Sequence, residues 1–246
     1  MRPIDKAKSG ESIVYTDSQG RIIHKVIEDN YSPYIKAKIP LIGNVGNYCS
    51  YCEGANHPSN LSIEHLASKG KGGSETSWDN FLLSCTICNS VKGAKVLDKN
   101  YHWPHLNNTF LSFIYDYTGR VRVNPNIPEI SKEKAHNLLD LIKLQRYPNT
   151  EEKPSEMDYR WQRRYEIWNK AVRLKKYFIE DKITVDDIIE EVKYRGYWSV
   201  WFTVFEGIDI VLEHLISDIP GTCANCFDKN NHYSPVQRNP GCDDPI

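Results

Sequence analysis

Hydrophobic and polar positions follow two different patterns on the two sides of residue 124. In the N-terminal half, short apolar runs bounded by Gly, Asn, Asp and Ser predict strands. The strand candidates are RIIHKVI (21–27), LSIEHL (61–66) and the hairpin-like TFLSFIYDYTGRVRV (109–123). Residues 34–46 predict a short helix. The prolines of NPNIPEI (124–130) interrupt both the alternation of a strand and the periodicity of a helix, so this stretch is the predicted boundary between two regions.

The C-terminal half has the periodicity of helices. Four segments repeat apolar residues every three or four positions, namely 131–146, 155–179, 184–194 and 198–217. In the second segment, Trp161, Tyr165, Trp168 and Val172 predict the face that packs against the core. The last 30 residues follow neither period and predict loops. We therefore expect an α+β protein, with one domain at residues 1–125 and a mainly helical region at 126–246.

Composition and charge limit the classes of function. The chain has 246 residues, of which 40% are apolar and 26% charged, as in ordinary globular proteins. Its formal net charge of -1 excludes a globally basic nucleic-acid binder, so any contact with a polyanion must come from a local patch. The N-terminus lacks the apolar core of a signal peptide, and Glu206 and Asp209 interrupt the most apolar stretch, so we expect no membrane partner. A cytoplasmic location is the default expectation.

Six of the seven cysteines occur in Cys-x-x-Cys pairs. The first two pairs, Cys49 with Cys52 and Cys85 with Cys88, offer four soft thiolates from two tight turns, which is the tetrahedral donor set that Zn²⁺ accepts. A site of four thiolates is closed to substrate, so the ion is predicted to be structural. The alternative is four unrelated buried cysteines. If zinc binds, loss of one thiolate should unfold this part of the chain.

The loop between the two pairs holds the residues IEH (63–65) and WDN (78–80). Glu64 and His65 are adjacent, so on a regular strand their side chains point to opposite faces. Holding both near one ion would need a bent or bulged backbone. Taken alone, the two residues would be a surface carboxylate and an ordinary structural histidine.

The order of these residues resembles the HNH endonuclease family. The shared features are Cys-x-x-Cys, an acid followed by His, a Gly-containing loop, an Asn, and a second Cys-x-x-Cys followed at once by a ligand-type residue, over residues 48–96. The resemblance implies a ββα-metal core: a two-stranded ribbon, then a helix starting near the second cysteine pair. It also implies His65 as general base, Glu64 and Asn89 as ligands of a catalytic ion, and Asn80 as the residue that constrains the ribbon. Glu64 and Asn89 depart from the more usual Asp and His.

The chemistry of phosphodiester hydrolysis agrees with these roles. The reaction needs an activated water and a cation beside the phosphate, and an imidazole can accept the water proton near neutral pH. Oxygen donors from Glu64 and Asn89 would favour Mg²⁺ or Mn²⁺ over Zn²⁺ or Ni²⁺. Lys92 and Lys95 follow on the predicted helix and are candidate nucleic-acid contacts. The alternative for both lysines is a solvated face.

Two further segments carry candidate chemistry. Residues 159–178 hold seven Lys or Arg against one acid, which suits phosphate binding, although the acidic segment 180–191 could balance this charge. Near the C-terminus, a third cysteine pair has further candidate ligands downstream. The four candidates for a second metal site are Cys223, Cys226, His232 and Cys242.

Together these features predict a metal-dependent HNH-type endonuclease that hydrolyses phosphodiester bonds of nucleic acid, foremost DNA. The layout also resembles nuclease subunits of bacterial anti-phage defence systems such as Septu, and this implies an ATPase subunit, encoded nearby, as a partner. The chain itself has no Walker-type nucleotide loop. The alternative from another class is a zinc-stabilised nucleic-acid or protein binding module with a degraded active site.

Overall fold

Short antiparallel hairpins and helices build the fold, as the α+β prediction requires. The computed structural model describes residues 1–68, 70, 72–95 and 99–246. Within these residues the strands pair as β1 (Ser12–Thr16) with β2 (Ile22–Val26), β3 (Leu61–His65) with β4 (Phe81–Cys85), β5 (Phe113–Tyr115) with β6 (Val121–Val123), and β7 (Phe227–Asp228) with β8 (Ser234–Pro235). The helices are α1 (Lys38–Val45), α2 (Thr86–Lys92), α3 (Thr109–Ser112), α4 (Glu129–Ile142), α5 (Arg160–Ile179), α6 (Val185–Arg195), α7 (Trp198–Val204) and α8 (Asp209–Ser217).

Local sequence explains where the C-terminal helices begin and end. Helix α6 begins after Thr184, whose side chain and that of Asp187 form a reciprocal capping box. The predicted helix 198–217 is wrong as one element, because the chain turns at Gly207, with φ of 84°, between α7 and α8. None of the helices in the described ranges is long and apolar enough to span a bilayer.

The buried face of α5 differs from the predicted aromatic stripe. The predicted residues Tyr165 and Val172 are 45% and 50% exposed. The face that packs against the core lies one position earlier in the helical repeat. Its members are Arg160, Arg164, Ile167, Ala171 and Leu174. The prediction failed because two arginines point inwards, where carbonyl oxygens accept hydrogen bonds from their guanidinium groups.

The ribbon β3–β4 followed by α2 confirms the predicted ββα arrangement. Strand β4 is buried along its whole length because both of its faces are covered. Phe81 and Leu83 pack into a cluster with residues of the N-terminal segment, whereas Leu82 packs into the larger cluster with the helices. The continuous apolar run of β4 therefore joins two cores.

The larger core crosses the predicted boundary at residue 125. Its buried members include Leu82 from the ribbon together with Leu138 and Trp201 from the helical region. At Gly196, which follows α6 with φ of 74°, the backbone lies so close to the first cysteine turn that an added Cβ would be 2.1 Å from the Glu53 carbonyl oxygen. The helical region thus packs directly against the cysteine turn, and the division into two domains stays a prediction.

Candidate active site and metal centre

The four cysteines Cys49, Cys52, Cys85 and Cys88 come together at the base of the ββα unit. Their sulfur atoms all lie within 4.8 Å of one another. Cys52 Sγ is 3.7 Å from Cys85 Sγ, and a tetrahedral ion with Zn–S bonds of about 2.3 Å would separate its sulfurs by about 3.8 Å. The four thiols therefore have the spacing of a tetrahedral metal site, and they can hold a metal ion. Their soft donors suit Zn²⁺.

Arg160 lies against this cluster, a role that the sequence did not indicate. Its Nη1 donates to Cys88 Sγ at 3.4 Å and to the Ile142 carbonyl oxygen at 2.9 Å. Asp158 accepts two further bonds from the guanidinium, at 2.7 Å each. A buried arginine beside four thiolates offsets part of their negative charge and orients one of them. In the sequence, Arg160 looked like one of several surface cations at the start of a basic helix.

The strand register separates Glu64 from His65. Glu64 lies opposite Leu82 and His65 opposite Phe81, with no bulge between the two pairs. Their side chains accordingly point to opposite faces of the ribbon. Glu64 faces α2 and the cysteine cluster, whereas His65 faces the N-terminal segment.

The His65 imidazole is held on three sides. Its Nε2 lies 3.0 Å from the Glu75 carbonyl oxygen. The rings of Tyr34 and Phe81 each contact it edge to face, with centroids 5.1 Å away. A carbonyl oxygen only accepts, so Nε2 carries the hydrogen and Nδ1 keeps its lone pair. Tyr34 comes from the segment before α1, and no motif in the sequence linked it to His65.

Asn80 braces the loop that carries Glu75. Its Oδ1 accepts from the Ala67 amide at 2.9 Å, and its Nδ2 donates to the carbonyl oxygens of Ala67 and Ser74 at 2.8 and 2.6 Å. The side chain therefore fixes both ends of the loop between the strands. Because the Glu75 carbonyl is one residue beyond Ser74, these bonds also limit its movement relative to His65.

Glu64 and Lys92 form an ion pair inside the protein. Lys92 Nζ lies 2.5 Å from Glu64 Oε1 and donates to the His65 carbonyl oxygen at 2.8 Å. Both side chains are buried, at 4% and 2% exposure. Burial raises the pKa of the Glu64 carboxyl, and Lys92 opposes that shift. Lys92 therefore faces protein and not solvent, so its predicted contact with a phosphate would require the side chain to leave Glu64.

The remaining predicted ligands and contacts lie on or just after α2. Asn89 is half-buried, one turn before Lys92 on the same helix. Lys95 is exposed, and its Nζ donates to the Leu141 carbonyl oxygen at 3.0 Å. Among the described residues, the four cysteines form the one group of three or more His, Cys, Asp or Glu side chains close enough to hold a metal ion. A divalent ion at Glu64 and Asn89 fits only after Lys92 withdraws, because its ammonium group already balances that carboxylate.

The structure does not assemble the C-terminal candidates into a second metal site. Cys223 and Cys226 are buried with their sulfurs 3.0 Å apart. His232 Nδ1 instead contacts Asp209 at 2.7 Å, and Cys242 is exposed. No third ligand group joins the two cysteines within the ranges described above.

Comparison with known proteins assigns part of this region. Residues 49–95 match the family model of the HNH endonuclease, so the chain carries an HNH endonuclease domain at these positions together with the four-cysteine cluster. No curated protein matches the chain. An HNH domain indicates a nuclease that binds nucleic acid, and it agrees with the ββα geometry described above.

Proposed function

We propose that this protein is a metal-dependent HNH endonuclease that hydrolyses phosphodiester bonds of nucleic acid, foremost DNA. One observation carries the proposal: within the segment that matches the HNH family, the His65 imidazole is oriented by the Glu75 carbonyl and flanked by Tyr34 and Phe81. A histidine oriented in this way, with one nitrogen free to accept a proton, suits a general base.

In the proposed reaction, His65 accepts the proton of the attacking water at Nδ1. The hydrogen bond from Nε2 to the Glu75 carbonyl holds the ring in the tautomer and orientation that leave Nδ1 free for this proton. Asn80 acts as a positioning residue, since it holds the loop that supplies this carbonyl. The two flanking rings prevent rotation of the imidazole away from the substrate.

Glu64 and Asn89 are the proposed ligands of the catalytic ion, with Mg²⁺ or Mn²⁺ preferred because both donors are oxygen atoms. When bound, such an ion would neutralise charge that develops on the scissile phosphate. Two changes have to come first: the Glu64–Lys92 pair has to open, and the ribbon has to bend at Glu64 and His65, whose side chains point to opposite faces in the regular register. Lys95, exposed three residues after the end of α2, is the better placed of the two proposed nucleic-acid contacts.

The four cysteines are the proposed site of a structural Zn²⁺. The sulfur spacing and the guanidinium of Arg160 support this assignment. The ion would fix the turn before β3 to the start of α2. It would thereby hold the two sides of the ribbon in register.

Plasmid cleavage by the wild type and by His65→Ala, in Mg²⁺ or Mn²⁺, tests the proposal. We expect nicking or linearisation by the wild type and a loss of at least about 100-fold in His65→Ala, in line with the usual contribution of a general base. His136→Ala is the matched control because His136 is exposed on α4. Equal, metal-independent behaviour of wild type and His65→Ala would contradict the proposal.

A role in an ATPase-associated anti-phage defence complex is a narrower part of the proposal. Its support is the layout of an HNH segment followed by a helical region. A cytoplasmic location belongs with it, because reduced thiols are needed for the proposed zinc site. Copurification with the product of a neighbouring ATPase gene tests this part, and the cleavage assay should be repeated with that partner.

A zinc-stabilised binding module with a degraded active site is the second candidate. The observation in its favour is the Glu64–Lys92 pair, which occupies the carboxylate that a catalytic ion would need. Zinc in the pure protein, with nucleic-acid binding but no cleavage under any metal or partner condition, would favour this candidate.

A further inference from the structure

A basic cleft opens beside the first cysteine turn, away from His65. It has a volume of about 770 Å³ and lies between α5, α6 and residues 47–57. Five cationic side chains line it against one carboxylate, that of Glu166. The five are Arg163, Lys170, Arg173, Lys193 and Arg195. The chain as a whole is nearly neutral, so this cleft concentrates positive charge locally.

Part of this charge is not balanced by neighbouring acids. Lys170 and Arg195 share Glu191, with N–O distances of 3.0 and 2.5 Å. Arg173 and Lys193 are exposed, and no carboxylate in the described part of the chain forms an ion pair with either of them. The acidic segment that follows α5 therefore offsets only some of the basic residues. Arg173 therefore remains available to a ligand, and so does Lys193, although its charge also acts on Asp218 and helps to lower the pKa of that carboxyl.

Exposed aromatic rings accompany the charges. Tyr194 is 79% exposed in the cleft, and the Arg195 guanidinium lies 5.6 Å from its ring centroid. A smaller cleft continues from the first and shares Arg163 and Tyr197 with it. This second cleft is lined by Tyr159, which is 54% exposed, and extends to Thr86 at the start of α2. Cations that follow a groove, together with exposed rings, are the features of a surface that binds single-stranded nucleic acid.

We propose that these two clefts, here called the basic groove, bind the phosphate backbone of a single nucleic-acid strand on its way to His65. The inference rests on the proposed nuclease function. The groove ends at the Leu61–Cys85 end of the ribbon, and His65 lies four residues further along β3, about 13 Å of strand at 3.3 Å per residue, so a bound strand has to pass from the cysteine side of the ribbon to the face that carries the imidazole. Arg173 and Lys193 contact phosphates, and Tyr194 stacks on a base.

Binding of a fluorescein-labelled 20-nucleotide single strand, followed by anisotropy from 50 to 200 mM KCl, tests the groove. The His65→Ala protein is used without added divalent ion, so neither cleavage nor a catalytic metal affects the measurement. The double variant Arg173→Glu/Lys193→Glu should bind at least about 10-fold more weakly. The slope of log affinity against log salt should fall by about 1.4, or 0.7 for each lost phosphate contact.

Arg122→Glu/Lys229→Glu is the matched control. It makes the same change in charge at side chains that are 60% and 70% exposed and do not line the groove. We expect its affinity within twofold of the parent and both double variants to keep the parent's circular dichroism. Equal affinity and equal salt slope for the two double variants would overturn the proposal.

Two further comparisons define the ligand. Tyr194→Ala should weaken binding of the single strand at least about fivefold and leave binding of a 20-base-pair duplex unchanged. A preference of the parent for the duplex would overturn the single-strand assignment. If poly-L-glutamate displaces the labelled strand at the same or a lower charge concentration than unlabelled strand does, the groove does not select nucleic acid, and this result would overturn the proposal. Because binding is measured without catalysis, failed cleavage with intact groove binding would contradict the proposed function alone.

Discussion

Replacing Lys92 by methionine removes the cation that balances the buried Glu64 carboxylate. Lys92 Nζ lies 2.5 Å from Glu64 Oε1, and both side chains are almost fully excluded from solvent. At an effective dielectric constant of about 20, two unit charges at this distance attract by about 6–7 kcal/mol before the cost of desolvation. Loss of one partner from such a pair typically lowers the free energy of unfolding by about 3–5 kcal/mol. We expect Lys92→Met to fall in that range.

The double variant Lys92→Met/Glu64→Leu separates the contribution of the ion pair to stability from that of the packing around it. It removes both charges and leaves apolar side chains of similar volume, so it should recover most of the stability that Lys92→Met loses. Recovery will be incomplete, because the His65 carbonyl oxygen also loses its hydrogen bond from Lys92. Lys229→Met is the control for charge removal: Lys229 pairs with Glu213 at the surface, where such a pair contributes at most about 1 kcal/mol.

Urea unfolding of the zinc-loaded proteins, followed by tryptophan fluorescence, measures these differences. The six tryptophans report both cores, because Trp78 lies in the N-terminal cluster and Trp201 in the larger one. A loss below about 1 kcal/mol in Lys92→Met would refute the reasoning. So would a double variant as unstable as the single one, since the pair would then make no specific contribution.

Two other predictions concern the same unit. Arg160→Lys keeps a positive charge but loses the guanidinium group that reaches Cys88 and the Ile142 carbonyl. We expect zinc affinity, measured by competition with a chelator, to fall by about 10- to 100-fold. An unchanged affinity would contradict the role of Arg160. Burial raises the pKa of Glu64, so its titration stabilises the fold fully below about pH 4, and this contribution is lost as pH rises through the raised value. Glu64→Gln lacks this titration. In urea unfolding, the free energy of unfolding of the wild type relative to Glu64→Gln should therefore decline from pH 4.5 to 7. A constant or rising difference would contradict a raised pKa for Glu64.

Sequence pattern alone was sufficient to predict those features of the structure that depend on residues close together in the chain. Alternation and turn residues predicted the ribbon strand at 61–66 and the hairpin around Gly119, and the paired cysteine spacing predicted the cluster that the structure assembles. On a regular strand, adjacent positions imply the separation of Glu64 from His65, and the structure shows this regular register in place of the bent backbone that a shared ion would need. These are consequences of backbone period and local spacing, which the sequence contains directly.

Only the tertiary structure decided which partner each side chain meets. Lys92 looked like a surface cation, but the packing of α2 on β3 buries it against Glu64. Arg160 reaches Cys88 across 72 residues, and Tyr34 reaches His65 from a segment with no recognisable motif. The sequence determines period and spacing because these are local, whereas burial and pairing of charges depend on how distant segments pack together.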